Sequence, residues 1–580
     1  MANPELQFAS SWISAFGEAI SQANIDAVLN CLDPSCWFRD LLVFNPSLET
    51  RHGHDAIRAH LQPVLGQAKV LNVVLDTNPH GRPQEAHFGP ETPIITTAFD
   101  FETPRALGKG FTRLYYPKNG ETPKALAVMM MVNDWKGHEE AGNESGVYDG
   151  HNLSWGEVYR QRREEVENDP QVVVVGGAQS GLQVAARFRQ MGIRTLVIEQ
   201  TARVGDVWRN RYPTLALHTP RSHHNLLYQP YPSNWPTFTP RDKLANWFEQ
   251  YVDNQNLIVW TSTTLEPTPK YDFDRKRWTI TVSRNGKPLT LHPQHLVMAI
   301  SVYGDPIIPS LPGVSSFKGT ILHSSAFSGG EPFKGQRVVV LGAGNTSADV
   351  CQDLVFRGAQ SVTMVQRSAT AVVSDTYLAA SFGLAFPEGR PVYYSDLAFA
   401  GIPLGAMREL GKKLQSFAEE FDKEMHEGLT KAGFKLTSGP DGAGQLVMVF
   451  DRQGGYFIDV GCAALIINGK VKIRQGVEID HLSEKSVVFN DGSKLDADAI
   501  ILATGWHSVR NKLIRIFGHE VIDKTSELLG SDEHGEIRAG YKPSGQSGLW
   551  FAGSDFAVSR FYSKLLALQI KGIELGYLEN

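Results

Sequence analysis

Val172-Val173-Val174-Val175-Gly176-Gly177-Ala178-Gln179-Ser180-Gly181 is a run of β-branched residues that breaks at two glycines and continues, from Leu182 to Met191, with helical spacing. The pattern predicts the strand, turn and helix that open a βαβ unit. Such a turn lets the backbone approach a pyrophosphate, whose charge then sits at the positive helix N-terminus. The next strand, Thr195 to Glu199, ends in an acid that can hydrogen-bond a ribose hydroxyl, so this site should take an adenosine ribose without a 2′-phosphate. FAD and NAD both meet that condition.

A second copy follows. Arg337 to Leu341 leads into Gly342-Ala343-Gly344-Asn345-Thr346-Ser347, a helix from Ala348 to Phe356, and a strand from Ser361 to Gln366. No acid closes this strand. Arg367 stands at its tip, and a planar guanidinium suits a phosphate, which predicts NADPH over NADH here. Both turns carry a substitution: Ala178 adds a methyl where the backbone should come nearest the pyrophosphate, and Ser347 replaces a glycine that would allow tight helix packing.

At 580 residues, with 42% hydrophobic and 20% charged residues, the chain is too long for one core. Its net charge of −6 argues against a nucleic-acid partner, which would need a basic stripe. No stretch approaches the ~18 apolar residues of a spanning helix, and Met1 to Gln7 lacks the pattern of an export leader. The expectation is a cytoplasmic protein with no membrane partner. Cys31, Cys36, Cys351 and Cys462 fit neither a disulfide scaffold nor a zinc site, so no metal is expected and the thiols should be buried and reduced. Cys31 and Cys36 have the gap of a redox pair, but they precede the first glycine turn instead of following it.

The fold class expected is α/β, with two dinucleotide-binding, Rossmann-like domains preceded by an α+β curved-sheet cone domain. The cone is read over 1–138, from an amphipathic helix (Phe8, Trp12, Ile13, Phe16, Ile20) followed by strand-like runs at Val70 to Leu75, Ile94 to Phe101, Gly110 to Tyr116 and Ala125 to Val132. A linker and helix occupy 139–170. The first nucleotide domain takes 171–315 and returns at 491–580. The second takes 316–490, with a helical insertion, solvated or lid-like, from Leu404 to Lys435.

Between the turns lies Phe317-Lys318-Gly319-Thr320-Ile321-Leu322-His323-Ser324-Ser325-Ala326-Phe327. Phe317, Gly319, His323 and Phe327 match the fingerprint of class B flavin-dependent monooxygenases, which the chain resembles from about Trp155 onward. The aromatic ending is similar to the flavin-containing monooxygenase branch more than to the Baeyer-Villiger branch. Val204-Gly205-Asp206-Val207-Trp208-Arg209 looks like the family segment that wraps the flavin. Leu217-His218-Thr219-Pro220 resembles YUCCA-like members, whereas animal-type members tend to carry an asparagine near His218. Ala503-Thr504-Gly505-Trp506 matches the interdomain linker, and Leu549 to Asp555 the return strand and turn. The first Ala-Thr-Gly segment has drifted to Ala299-Ile300-Ser301. Residues 1–138, with Cys36 to Leu42 and Gly53 to Ile57, resemble SnoaL-like cones, expected as a packing or dimerisation module giving a possible homodimer.

What the resemblance implies is an FAD- and NADPH-dependent monooxygenase. NADPH reduces FAD, oxygen adds to give a flavin hydroperoxide, and one oxygen atom enters a small organic substrate. Heteroatom oxygenation and oxidative decarboxylation of an aryl 2-oxo acid both remain open. The alternatives are a Baeyer-Villiger monooxygenase, an NADPH-dependent flavin oxidoreductase without oxygen insertion, and a non-enzymatic scaffold. Candidate catalytic residues are His218 and Asn345. Candidate cofactor-binding residues are Gly176, Ala178, Gln179, Ser180, Gly181, Glu199, Gly205, Trp208, Arg209, His323, Gly342, Gly344, Asn345, Thr346, Ser347, Arg367, Thr504, Gly505 and Asp555. The substrate pocket is expected among Arg221 to Pro240 and Asp375 to Gly455.

Overall fold

The computed structural model describes residues 4–117, 121–528 and 530–579. Residues 1–3, part of the start read as lacking a leader, and residue 580, the end of the last expected domain, lie outside the described residues.

Both glycine turns open parallel sheets. The first sheet orders its strands Ile258–Trp260, Thr195–Ile198, Val172–Val175, His295–Met298 and Leu549–Phe551. Strand Val172–Val175 is central and wholly buried, which is why four valines in a row suit it. The second sheet runs Thr320–His323, Ala499–Leu502, Arg337–Leu341, Ser361–Gln366 and Val471–Gln475, again all parallel.

The boundary expected at 491 falls later. Strand Lys494–Asp496 belongs to a small ribbon, and Ala499–Leu502 lies inside the second sheet between two of its other strands. The chain returns to the first nucleotide unit only after Leu502. The apolar run Ala499 to Leu502 is buried on both faces and needs a parallel sheet around it, a demand that a reading centred on the next glycine missed.

The two units are joined by a crossed pair of linkers. Tyr303–Pro306 pairs antiparallel with Trp506–Ser508, the Ile307 N–H donates to Gly505 O at 3.0 Å, and Thr504 Oγ1 donates to Ile307 O at 2.5 Å. Gly505 takes a φ of +86°, and Ser301, where the drifted linker lost its glycine, holds a φ of +77°. The drifted segment has kept the backbone shape and lost only the residue that adopts it without strain.

The N-terminal unit is a seven-stranded sheet with helices Pro4–Ser21, Ile25–Asn30 and His54–Leu61 on one face. Along strand Ala125–Trp135 the side chains alternate. Val128 and Met130 enter the core under those helices, whereas Met129 and Met131 enter a core shared with the first nucleotide unit. Buried polar ties accompany this apolar contact. Arg39 Nε donates to Glu536 Oε1 at 2.7 Å, Arg113 donates to the carbonyls of Ala398 and Gly401, and Trp135 Nε1 donates to Leu568 O at 2.8 Å. The sheet is therefore packed on both faces by its own chain. No described helix is long and apolar enough to cross a membrane, and all four cysteines are buried with free thiols.

Candidate active site

At the first turn the geometry enforces glycine at two places. Gly176 has a φ of +114°, and a Cβ on Gly181 would lie 1.9 Å from Gly176 O, so the helix Gln179–Gln190 starts against the turn itself. Ala178 caps that helix with φ −102°, an extended conformation open to any residue, which explains why its methyl is tolerated. Glu199 is buried, accepting the Gly177 N–H at 2.8 Å through Oε2 and both the N–H and the hydroxyl of Thr201 through Oε1. Its remaining acceptor capacity faces the turn where a ribose would lie. Ser180 receives a hydrogen bond from Ser559 at 3.0 Å, fastening this helix to the C-terminal helix Phe556–Glu574. Asp555 caps that helix by accepting the Val558 N–H at 2.8 Å.

Gly205, with φ +87°, begins the short helix Asp206–Arg209, where the indole Nε1 of Trp208 is buried without a protein partner. That orphaned donor, the cradle at Gly176 and Gly181, and the placement of Glu199 fit FAD. Arg209 was expected to bind cofactor, but its guanidinium is engaged by Glu249 at 2.7 Å, Asp206 at 3.0 Å and Val204 O at 2.8 Å, so it braces the segment instead.

The second turn repeats the first with one change. Gly342 has φ +126° and Gly344 caps the helix Asn345–Phe356 with φ −99°, in close copy of Gly176 and Ala178. At the position of Gly181 stands Ser347, buried, its hydroxyl without a partner and 2.9 Å from where a Gly342 Cβ would be. Its side chain stands against the turn where Gly181 has none. Thr346 follows Asn345 in its first turn, and Arg367 is exposed beyond strand Ser361–Gln366, with no ion pair among the described residues. An exposed guanidinium at the end of the strand that follows the turn fits the extra phosphate of NADPH. Arg367→Ala is expected to raise the KM for NADPH about tenfold or more, as one lost charged contact would. The KM for NADH should barely change, and steady-state kinetics with the two nucleotides would show an equal loss if the assignment were wrong.

His323 sits elsewhere in the design than expected. One ring nitrogen pairs with Ser325 Oγ at 2.9 Å, the other lies 3.1 Å from Gly505 O, and Trp506 packs edge-on. Both nitrogens are committed, so His323 ties the fingerprint to the linker and does not reach a cofactor through them. Thr504 and Gly505 are likewise linker residues.

The structure brings His218 and Asn345 to one seam. Residues 212–218 of the first unit run along helix Asn345–Phe356 of the second. Tyr212 hydroxyl donates to Asp349, Thr214 Oγ1 donates to Asp353 at 3.2 Å, and His218 Nε2 lies 3.4 Å from Asp349 Oδ1. Burial works against a charged imidazole, yet Asp349, with Asp459 and Asp375 beyond, holds the His218 pKa above its ordinary value. Asn345 Oδ1 accepts the Ile458 N–H at 2.7 Å, leaving only its amide donors free. Close by, His223 Nε2 is 3.7 Å from Asp555, and burial with the Arg560 charge pushes its pKa down to about 3.

Asp349, Tyr212 and Arg560 are the residues that sequence reasoning passed over. Asp349 is one helical turn beyond Asn345 and so shares its face, which the spacing could have shown. Arg560 is a lone cation in the apolar start of the last helix.

A family profile described as flavin-binding monooxygenase-like matches residues 169–381, which span the first turn, the fingerprint and the second turn. Indole-3-pyruvate monooxygenase YUCCA1 of Oryza sativa subsp. japonica is 28% identical over 345 residues, covering 58% of this chain and 77% of that protein. Probable indole-3-pyruvate monooxygenase YUCCA4 of Arabidopsis thaliana is 27% identical over 345 residues, covering 58% and 76%. Similar solved structures include cyclohexanone monooxygenase in its open form, at TM-score 0.49 and 17% identity over 70% of this chain and 88% of that one. A flavin-containing monooxygenase from Stenotrophomonas maltophilia has TM-score 0.47 and 17% identity over 69% and 98%.

The chain carries a flavin-binding monooxygenase-like unit over residues 169–381. It uses FAD and NADPH, and it inserts oxygen into a small organic substrate.

Proposed function

We propose that oxygen insertion takes place beside the seam formed by His218 and helix Asn345–Phe356, and that the reaction is oxygenation of a heteroatom. Bound FAD, once reduced by NADPH, supplies the oxygen-activating chemistry. The first glycine turn and Glu199 hold its adenosine end, while the second turn and Arg367 hold NADPH. Asn345 orients groups through its free amide, and Asp349 positions the His218 imidazole and favours its charged form against burial. The observation that carries the choice of reaction is the charge around His218. Its imidazole already faces Asp349, and Asp375 and Asp459 lie beyond, so a substrate carboxylate would meet acids there.

Decarboxylation of an aryl 2-oxo acid is the second reading, favoured by the indole-3-pyruvate relatives and by Leu217-His218-Thr219-Pro220. Anaerobic NADPH should bleach the flavin, and admission of labelled oxygen with a methyl aryl sulfide should put one labelled atom in the sulfoxide. Carbon dioxide released from an aryl pyruvate, with no sulfoxide formed, would establish the second reading instead. A flavin that NADPH does not bleach would remove both.

His218 also sets an expected pH dependence. Its raised pKa means that the imidazolium is present below the ordinary histidine range and is lost as pH rises through the raised value. The share of NADPH that ends in product should fall on that alkaline limb, with hydrogen peroxide rising in its place. In His218→Gln the coupling should be low and flat across the same range; a limb that persists in the variant assigns the titration to another group.

The SnoaL-like N-terminal unit is read as a packing module, supported by its burial against its own chain. A homodimer through it would have to use surface left free, such as the edge strand Leu71–Leu75, where Leu71 and Val74 are exposed. A cytoplasmic location is consistent with four unbridged thiols.

A further inference from the structure

The helical insertion of the second unit encloses a cavity of about 520 Å³, well inside the range of small-molecule sites. Its walls come from helix Asp375–Ala385, the neighbouring helix Val392–Ala400, the amphipathic helix Leu404–Phe421 and the following helix Lys423–Lys431. Helix Leu404–Phe421 buries only Ala406 and Met407 while Met407, Leu410, Leu414 and Ala418 line the cavity. Leu410 also packs against the small core of Phe88, Ile94 and Leu126, so Leu414 and Ala418 are the part of the stripe that something apolar in the cavity would cover.

The inner wall reaches the seam. Phe382 lines the cavity and packs on His223 with ring centroids 4.4 Å apart, and Asp375, which acts on His218, begins the helix that carries Phe382.

The polar side is acidic. Glu419 and Glu427 line it with Lys423, whose Nζ lies 3.3 Å from Glu420 in an exposed pair, and with His426, whose Nε2 pairs with Val372 O at 2.8 Å, while Glu419 Oε1 accepts from Gln415 Nε2 at 2.7 Å and Ser438 Oγ at 2.8 Å. A carboxylate entering would lose its hydration and meet like charge.

We propose that this chamber binds the oxygenation substrate, and that it selects an uncharged, largely apolar molecule and rejects organic acids. The assignment rests on the monooxygenase reading of the seam, so the test reads binding directly and leaves turnover to the separate experiment above.

Calorimetric titration of the FAD-loaded full-length protein would compare methyl 2-naphthyl sulfide, a neutral probe, with 2-naphthylpyruvate, its acidic counterpart. The neutral probe should bind at least about tenfold more tightly. Ala418→Trp and Ala385→Trp fill the chamber from opposite walls, and each should weaken the neutral probe about tenfold or more; two walls keep the test alive if one variant fails to fold. Glu419→Gln combined with Glu427→Gln should narrow the gap between the probes. The proposal is overturned by no binding of the neutral probe, by an acid that binds as tightly, or by tryptophan variants that bind like the parent. A flavin that NADPH fails to bleach, with these binding results intact, would instead sink the reading of the seam.

Discussion

Gly181→Ala should yield a protein that no longer retains FAD. The new Cβ would stand 1.9 Å from Gly176 O and 3.2 Å from Ala299 Cβ, with backbone on one side and a packed methyl on the other. No rotamer relieves the clash, since a methyl has none. The helix must back away, and the N–H groups that should meet the pyrophosphate go with it. Overpacking of this kind costs about 1–3 kcal/mol, or roughly ten- to a hundredfold in FAD affinity if the loss falls on the bound state. The ratio of flavin to protein absorbance after gel filtration reads the effect directly. Ala178→Gly is the control: its φ of −102° asks nothing of glycine, so FAD content should stay at the parental level. Parental flavin content in Gly181→Ala would mean that the first turn does not hold the cofactor.

This contrast marks how far the sequence could be read. The two turns, their strands and helices, and the acid and arginine behind them follow from local rules of backbone freedom and charge, and each is where those rules place it. Ala178 and Ser347 looked like equal defects, but one sits at a position with ordinary φ while the other puts a buried, unpartnered hydroxyl against the turn, a difference that only the folded backbone reveals. The strand Ala499–Leu502 was assigned to the wrong unit because long-range pairing has no local signature. His323 was legible as special and illegible as a linker tie, since its partner Gly505 is remote in sequence. The segment Asp375 to Gly455 was expected to hold the pocket, but the chamber's shape and its lining side chains were not legible. Its lining comes from several helices, and helical periodicity gives the apolar face of each without saying whether that face meets a core or a cavity.

Arg560→Met should be the most destabilising single change near the seam. Arg560 is 1% exposed, and its guanidinium donates through Nε and Nη2 to both oxygens of Asp396 at 2.8 and 2.7 Å. Nη1 donates to His223 O at 2.7 Å and Asn225 O at 2.6 Å. One side chain thus holds together the C-terminal helix, the histidine segment and the helical insertion.

Burial already raises the Asp396 carboxyl, against the pull of Arg560. Without that charge it must fold as the neutral acid, and two carbonyls lose their donor. Breaking a buried pair from one side costs about 3–5 kcal/mol. The sign with pH follows. Protonating Asp396 on folding becomes harder as pH rises above the unfolded carboxylate range, so the deficit should shrink as pH is lowered toward that range. Denaturant unfolding at several pH values would read both magnitude and slope.

Arg560→Lys should recover little, because a point ammonium cannot serve a carboxylate and two carbonyls at once. Arg560→Met with Asp396→Leu should recover the part of the loss that comes from the unpaired charge, while the two carbonyls stay without their donor. If that double variant also recovers the parental yield of product per NADPH, Arg560 is only a structural pin. Restored stability with uncoupled turnover would make it a positioning residue, acting through His223 on the boundary between chamber and seam.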